Sequence, residues 1–222
     1  FMLFNSFIFL IFLLIVVPLY YRLNLKNRKY LILFSSYFFY GYWDYRFCFL
    51  MLVSTIVDYI AGKYIYETKE LKKRKLFLLV SITTNFSILG FFKYYNFFID
   101  SFQTAFSFYG MQLDFLHINL ILPVGISFYT FQSLAYTIDI YRKKIKPTNV
   151  FIDFIIYVSF FPQLVAGPIE RAKNLLPQIS KMPIPSKIQF NQGLVLIVSG
   201  MFKKVIIGDT TGRIEDQIFA QP

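Results

Sequence analysis

Apolar residues in this chain come in long runs rather than in alternation, and short stretches crowded with Lys and Arg separate the runs. A helix rises about 1.5 Å per residue, so about 20 apolar residues reach across a hydrocarbon layer about 30 Å thick. Six runs predict membrane crossings on this measure: residues 2–21, 30–43, 47–66, 76–92, 120–140 and 191–207. The second is short unless its Tyr-rich end, with Tyr42, Trp43 and Tyr45, sits in the membrane–water interface where amphipathic rings concentrate. Residues 93–119 are mixed, and FFIDSFQTAFSFYG within them has an amphipathic pattern expected to lie flat in the outer interface.

One stretch breaks the pattern. Residues 151–179, FIDFIIYVSFFPQLVAGPIERAKNLLPQI, open as an apolar run and are cut by Pro162 and again at Gly167 and Pro168, too soon to have crossed a bilayer. Proline removes a backbone donor and clashes with the preceding turn. Irregular backbone at membrane depth is tolerated only where protein or a water-filled cavity satisfies it. The stretch therefore reads as a re-entrant segment that enters and leaves on one face and lines a polar interior. With no internal repeat and no low-complexity linker, residues 1–222 predict a single all-α polytopic membrane domain of about six transmembrane helices plus this re-entrant element. The opening run lacks a basic n-region and a small-residue cleavage site, so it is expected to be a retained helix. Phe1 precedes Met2, which is the expected start.

Composition agrees: 56% of residues are hydrophobic, 21% aromatic and only 16% charged, outside the range of soluble domains. A net charge of +11 would raise the question of nucleic acid in a soluble chain, so its placement decides the matter. Arg22, Lys26, Arg28 and Lys29 form one basic loop. Lys63, Lys69, Lys72, Lys73, Arg74 and Lys75, set against Glu67 and Glu70, form a second; Arg142, Lys143, Lys144 and Lys146 form a third. Residues 170–187 add Arg171, Lys173, Lys181 and Lys187 against Glu170, whereas the intervening loops are neutral or slightly acidic. Basic loops alternating with neutral ones are the positive-inside pattern, which accounts for the charge without a nucleic-acid partner and places the N-terminus outside. The lone Cys48 excludes an intrachain disulfide.

Polar groups inside apolar runs are the candidates for chemistry, because an ionised side chain at the bilayer centre costs about 2.5–3.5 kcal/mol even on the lenient insertion scale. Asp58 lies about two turns inside its helix and calls for a partner, with structural pairing to a Lys, Arg or Tyr weighing above a catalytic role. Lys203 and Lys204 interrupt an apolar helix about 100° apart on its wheel. One of them is expected to face the polar interior, meeting an anionic donor or pairing with Asp209. Gln132, Tyr136 and Asp139 fall on one helical stripe, as cavity lining or, more commonly, as polar glue; Asn85 with Thr83 and Thr84 reads the same way. His117, the only histidine, stands apart from the other candidates. No metal-ligand cluster, phosphate-cradling loop or Ser-His-Asp set is visible.

Four ordered blocks, MLFNSFIFLIFLLIV, ILPVGISFYTFQSLAYTIDIYR, FFPQLVAGPIERAKNLLPQI and GLVLIVSGMFKKVIIGD, together resemble the membrane-bound O-acyltransferase (MBOAT) family, in its alginate O-acetyltransferase-like bacterial branch. The resemblance implies a ring of tilted helices in a bacterial inner membrane. Through it an acyl group passes from a cytoplasmic donor such as acetyl-CoA, used as a substrate with no bound cofactor, to an exported polysaccharide or an acyl-relay protein outside. The family's catalytic histidine lies in a Trp-His-Gly-like block preceded by an Arg-Trp-His block, and neither occurs here. The chain therefore resembles the N-terminal half of such a protein, with no catalytic residue of its own. It is expected to be inactive alone, since base catalysis accounts for about 10²- to 10⁴-fold in rate. Gln163, Gly167, Pro168 and Arg171, with Lys203 or Lys204 opposite, are expected to shape the donor entrance. A transporter or flippase, or a non-catalytic scaffold for an acyl-transfer partner, are the alternatives; broken helices favour the first, and the lack of repeats opposes it.

Overall fold

In the computed structural model, residues 2–108, 121–164 and 167–219 are described, and among them every regular element is helical. In chain order they are α1 (Phe7–Arg22), α2 (Leu25–Asp44), α3 (Arg46–Glu67), α4 (Leu71–Leu89), α5 (Tyr95–Ser107), α6 (Ile126–Tyr141), α7 (Phe151–Ser159), α8 (Phe161–Leu164), α9 (Ala172–Lys181), α10 (Lys187–Phe202) and α11 (Asp209–Phe219). Polar caps set several starts. The Ser6 and Asn24 side chains accept the backbone N–H groups of Phe9 and Asn27, and Ser186 with Gln189 closes a reciprocal capping box at the head of α10.

Among the described residues, three helical stretches are long and apolar enough to cross a membrane: Arg46–Glu67, Leu71–Ser107 and Lys187–Arg213; Phe7–Arg22 and Phe151–Leu164 are shorter apolar helices. This is the composition of an all-helical membrane protein. The short second run gains length because α2 begins at Leu25 and winds Lys26, Arg28 and Lys29 into its first turns. The mixed segment after residue 92 is joined to the crossing before it. A π-helical turn at Gly90–Tyr94 carries α4 into α5, since no proline intervenes, and Tyr94 (φ −119°, ψ 1°) marks the join. A second π-helical turn, Lys203–Gly208, falls where the two lysines interrupt the last run. Residues 109–120, including His117, lie outside the described residues.

The chain divides into two compact units. In the unit of residues 24–181, α3, α4 and α6 pack on one another, and α7 packs on α2, α3 and α9. The core holds Met51, Ile65, Tyr129, Tyr136, Ile140, Phe154, Ile156 and Tyr157, each at most 1% exposed. Tyr136 and Phe154 join α6 to α7 with ring centroids 4.4 Å apart. The ends that carry basic loops meet. Arg74 at the start of α4 donates to the carbonyls of Ile65 (3.0 Å) and Tyr141 (2.6 Å), the free C-terminal ends of α3 and α6, and stacks over the Tyr141 ring. Lys29 on α2 pairs with Asp153 on α7 at 2.5 Å, and the Tyr59 hydroxyl on α3 donates to Asn149 O before α7.

In the unit formed by residues 1–23 and 182–222, the Tyr20 hydroxyl donates to Pro183 O (3.1 Å) and Tyr21 lies against Phe190. The α10 helix leaves Val195, Leu196, Val198 and Phe202 exposed, and none of its span-length window is buried. A helix apolar on every side needs lipid or other helices around it.

Candidate functional site

The break between α7 and α8 brings together two of the polar side chains singled out in the sequence, Gln132 and Gln163. The first turn of α7 carries Asp153, placed where a helix N-terminus favours a carboxylate and bound by Lys29. The helix stops at Ser159 because Pro162 has no N–H for the carbonyl four residues back. At Phe160 the backbone leaves helical conformation (ψ 105°), and α8 is a single turn. Nine residues of α7 rise about 13 Å, less than half of a hydrocarbon core.

Two backbone groups beside the break find side chains, and the Phe160 carbonyl accepts the N–H groups of Gln163 and Leu164. The Phe161 N–H donates to Ser36 Oγ on α2 (3.3 Å). The Tyr157 carbonyl accepts Gln132 Nε2 from α6 (2.7 Å) and Gln163 Nε2 (3.3 Å). The Tyr157 hydroxyl reaches the carbonyls of Glu170 (3.1 Å) and Gln132 (3.3 Å), tying the chain beyond the break to α6. Two glycines let backbone approach backbone here. A Cβ on Gly125, which sits at φ +73°, would lie 2.7 Å from the Leu164 oxygen; a Cβ on Gly167 would lie 2.5 Å from Gln163 Cα.

Gln163 and Gln132 are thus brought together at one carbonyl, and Gly167 folds back on Gln163 through its N–H to Gln163 O (2.9 Å). Pro168 and Arg171 follow as exposed residues. Asp139 is half-buried, two turns along α6 from Gln132. Lys203 and Lys204 belong to the other compact unit; both are exposed, and Lys204 pairs with Asp209 at 3.1 Å.

Asp58 is fully buried and takes hydroxyl and amide donors rather than a cation. Ser81 Oγ donates at 2.6 Å and Asn85 Nδ2 at 2.9 Å to each carboxylate oxygen, with Thr137 on α6 touching Ser81 at 3.2 Å. Asn85, read as glue, is its main partner. Arg74 was hidden among the loop lysines, where nothing in the sequence separates a buried arginine from a topogenic charge. Among the described residues no group of three or more His, Cys, Asp or Glu could hold a metal ion. The set can hold irregular backbone and line a polar wall.

No protein-family model matches the chain, and no solved structure does. Curated proteins do. The probable alginate O-acetylase of Pseudomonas aeruginosa is 36% identical over 221 residues, 99% of this chain and 42% of that protein. The one from Pseudomonas putida is also 36% identical, over 99% of this chain and 45% of that protein. The peptidoglycan O-acetyltransferase of Helicobacter pylori is 31% identical over 88% of this chain and 41% of that protein. The chain spans less than half the length of these relatives.

Proposed function

Taking the chain as a member of the membrane-bound O-acyltransferase family, similar along nearly all its length to alginate O-acetylases, we propose that the intact protein moves an acetyl group across a bacterial inner membrane to a hydroxyl of an exported polysaccharide. That coverage is the observation carrying the proposal: the likeness runs through the broken element, not through apolar helices alone. The donor is a cytoplasmic thioester such as acetyl-CoA, and the acceptor side holds the polysaccharide or a relay protein. Relatives named for alginate and for peptidoglycan support a carbohydrate hydroxyl as the acceptor class.

In this reading the chain is multi-pass with its N-terminus outside, and α7–α8 is a re-entrant element opening to the basic side. Lys29, Arg74 and the residue 142–146 loop lie at one end of their unit, as that topology requires. Gln163 and Gly167 hold the broken element, Pro168 and Arg171 lead out of it, and Arg171 is the donor-facing cation. Lys203 and Lys204 are donor-binding residues of the second unit to be tested separately.

The experiment is complementation. The complete gene, placed in an alginate-producing strain lacking its own O-acetylase, is expected to restore ester-linked acetate on the exported polymer, measured by NMR of the purified polysaccharide. Arg171→Ala is expected to raise KM for the donor with little change in expression. Unacetylated polymer from a strain that makes the protein in its membrane rules the proposal out.

A further inference from the structure

Two basic loops far apart in the sequence share one helix end. The Arg74 guanidinium donates to Tyr141 O at 2.6 Å and to Ile65 O at 3.0 Å, so the start of α4 meets the last turns of α3 and α6. Lys72, Lys73 and Lys75 flank Arg74, and Arg142, Lys143 and Lys144 follow Tyr141; all six are exposed. Glu70 pairs with Lys73 at 3.0 Å, and Glu67 and the half-buried Asp139 are the other carboxylates of these helix ends, so the balance stays strongly positive. The α4 helix has no acidic residue in its first turn and no side-chain cap, and its N-terminal N–H groups add to the same field.

The turn after α6 holds its cations in a fixed and costly shape. The Lys143 N–H donates to Ile140 O and the Lys144 N–H to Asp139 O, both at 2.9 Å, the paired bonds of a Schellman cap. Lys143 takes the left-handed position of that cap at φ 60°, where glycine is the usual residue. Strained backbone gathers at binding sites, and here the strain keeps a cation where glycine would keep none. Positive-inside topology needs the charge in loops; it needs neither two loops joined at one end nor a lysine in that position.

The neighbours of this end select a partner. Tyr64 and Tyr66 near the end of α3 are exposed, as are Leu71 and Leu76 beside the lysines of α4. Tyrosine concentrates at headgroup level, and apolar side chains among lysines suit the boundary between headgroups and acyl chains. We propose that the joined ends of α3, α4 and α6 are a docking surface for an anionic phospholipid of the leaflet on the basic side, its headgroup phosphate held by Lys72, Lys75 and the Arg142–Lys144 turn. The surface stands whether or not the protein transfers acetyl groups.

The test is photolabelling of the complete protein in lipid nanodiscs. Trace phosphatidylglycerol or phosphatidylcholine, each carrying the same photoactivatable group beside its headgroup, is irradiated and the labelled peptides are read by mass spectrometry. Peptides from residues 69–75 and 142–146 are expected to take several-fold more label from the anionic lipid, while those holding Lys26 and Lys29, or Lys173 and Lys181, label alike with both. Lys143→Gly suits the left-handed backbone, so its melting temperature is expected to hold or rise. Its labelling by phosphatidylglycerol is expected to fall about fivefold, the loss of one cation at an anionic surface. Equal labelling by the two lipids, the same preference in every basic loop, a preference abolished by inorganic phosphate at constant ionic strength, or unchanged labelling of Lys143→Gly overturns the proposal.

Discussion

Asp58 shows how little of a buried polar contact a single sequence discloses. The residue stood out because a carboxylate within an apolar helix is costly, but its partners sit 23 and 27 positions away on α4 and are an ordinary serine and asparagine. Only the register between α3 and α4 makes them partners, and register is a property of packed surfaces rather than of either segment. Asp58→Ala leaves the Asn85 amide and Ser81 hydroxyl short of an acceptor in a dry interior. A loss of about 2–3 kcal/mol is expected, read as a lower midpoint in thermal unfolding from lipid nanodiscs. Asp58→Asn keeps an acceptor and is expected to lose less. Arg74 makes the complementary case: Arg74→Lys replaces a fork that spans two helix ends with one point charge, and a fall of about 1–3 kcal/mol in the same assay is expected.

The break at α7–α8 was legible at the level of elements because proline and glycine act locally, through a missing donor and a missing Cβ. The join between α4 and α5 was not. Composition shifts from apolar to amphipathic after residue 92, yet nothing there forbids continued helix, and backbone hydrogen bonding carries on through a π-turn. Gly167→Ala tests the break. Its methyl carbon would lie 2.5 Å from backbone that cannot yield, so the turn after α8 must open. On the proposed function, the expected outcome is loss of polymer acetylation by the complete protein, with the midpoint of thermal unfolding lowered, while Gly90→Ala, which meets open space, leaves both unchanged.

The whole chain is one of apolar helices whose charged ends are gathered in the larger unit. Single cysteines at Lys72 and Lys144 are expected to react with a membrane-impermeant maleimide from the same side of sealed vesicles, and one at Tyr45 from the other. Reaction of Lys72 and Lys144 from opposite sides contradicts the topology. In the smaller unit, α10 leaves Val195, Leu196, Val198 and Phe202 exposed. Val198→Arg is expected to add about 2.5–3.5 kcal/mol to its insertion, measured by glycosylation mapping of the inserted fraction. Fold class and the polar break could be read from hydropathy and punctuation. The pairing of Gln132 with the Tyr157 carbonyl could not, since it depends on three helices meeting at one depth.

That meeting sets an order for biogenesis. Lys29, Ser36, Gly125 and Gln132 all precede residue 151, so the ribosome has made these partners of the interrupted helix before it makes the helix itself. The segment least able to survive alone in lipid emerges to partners already synthesised on α2 and α6, while Gln163, the Glu170 carbonyl and α9 follow from its own C-terminal side.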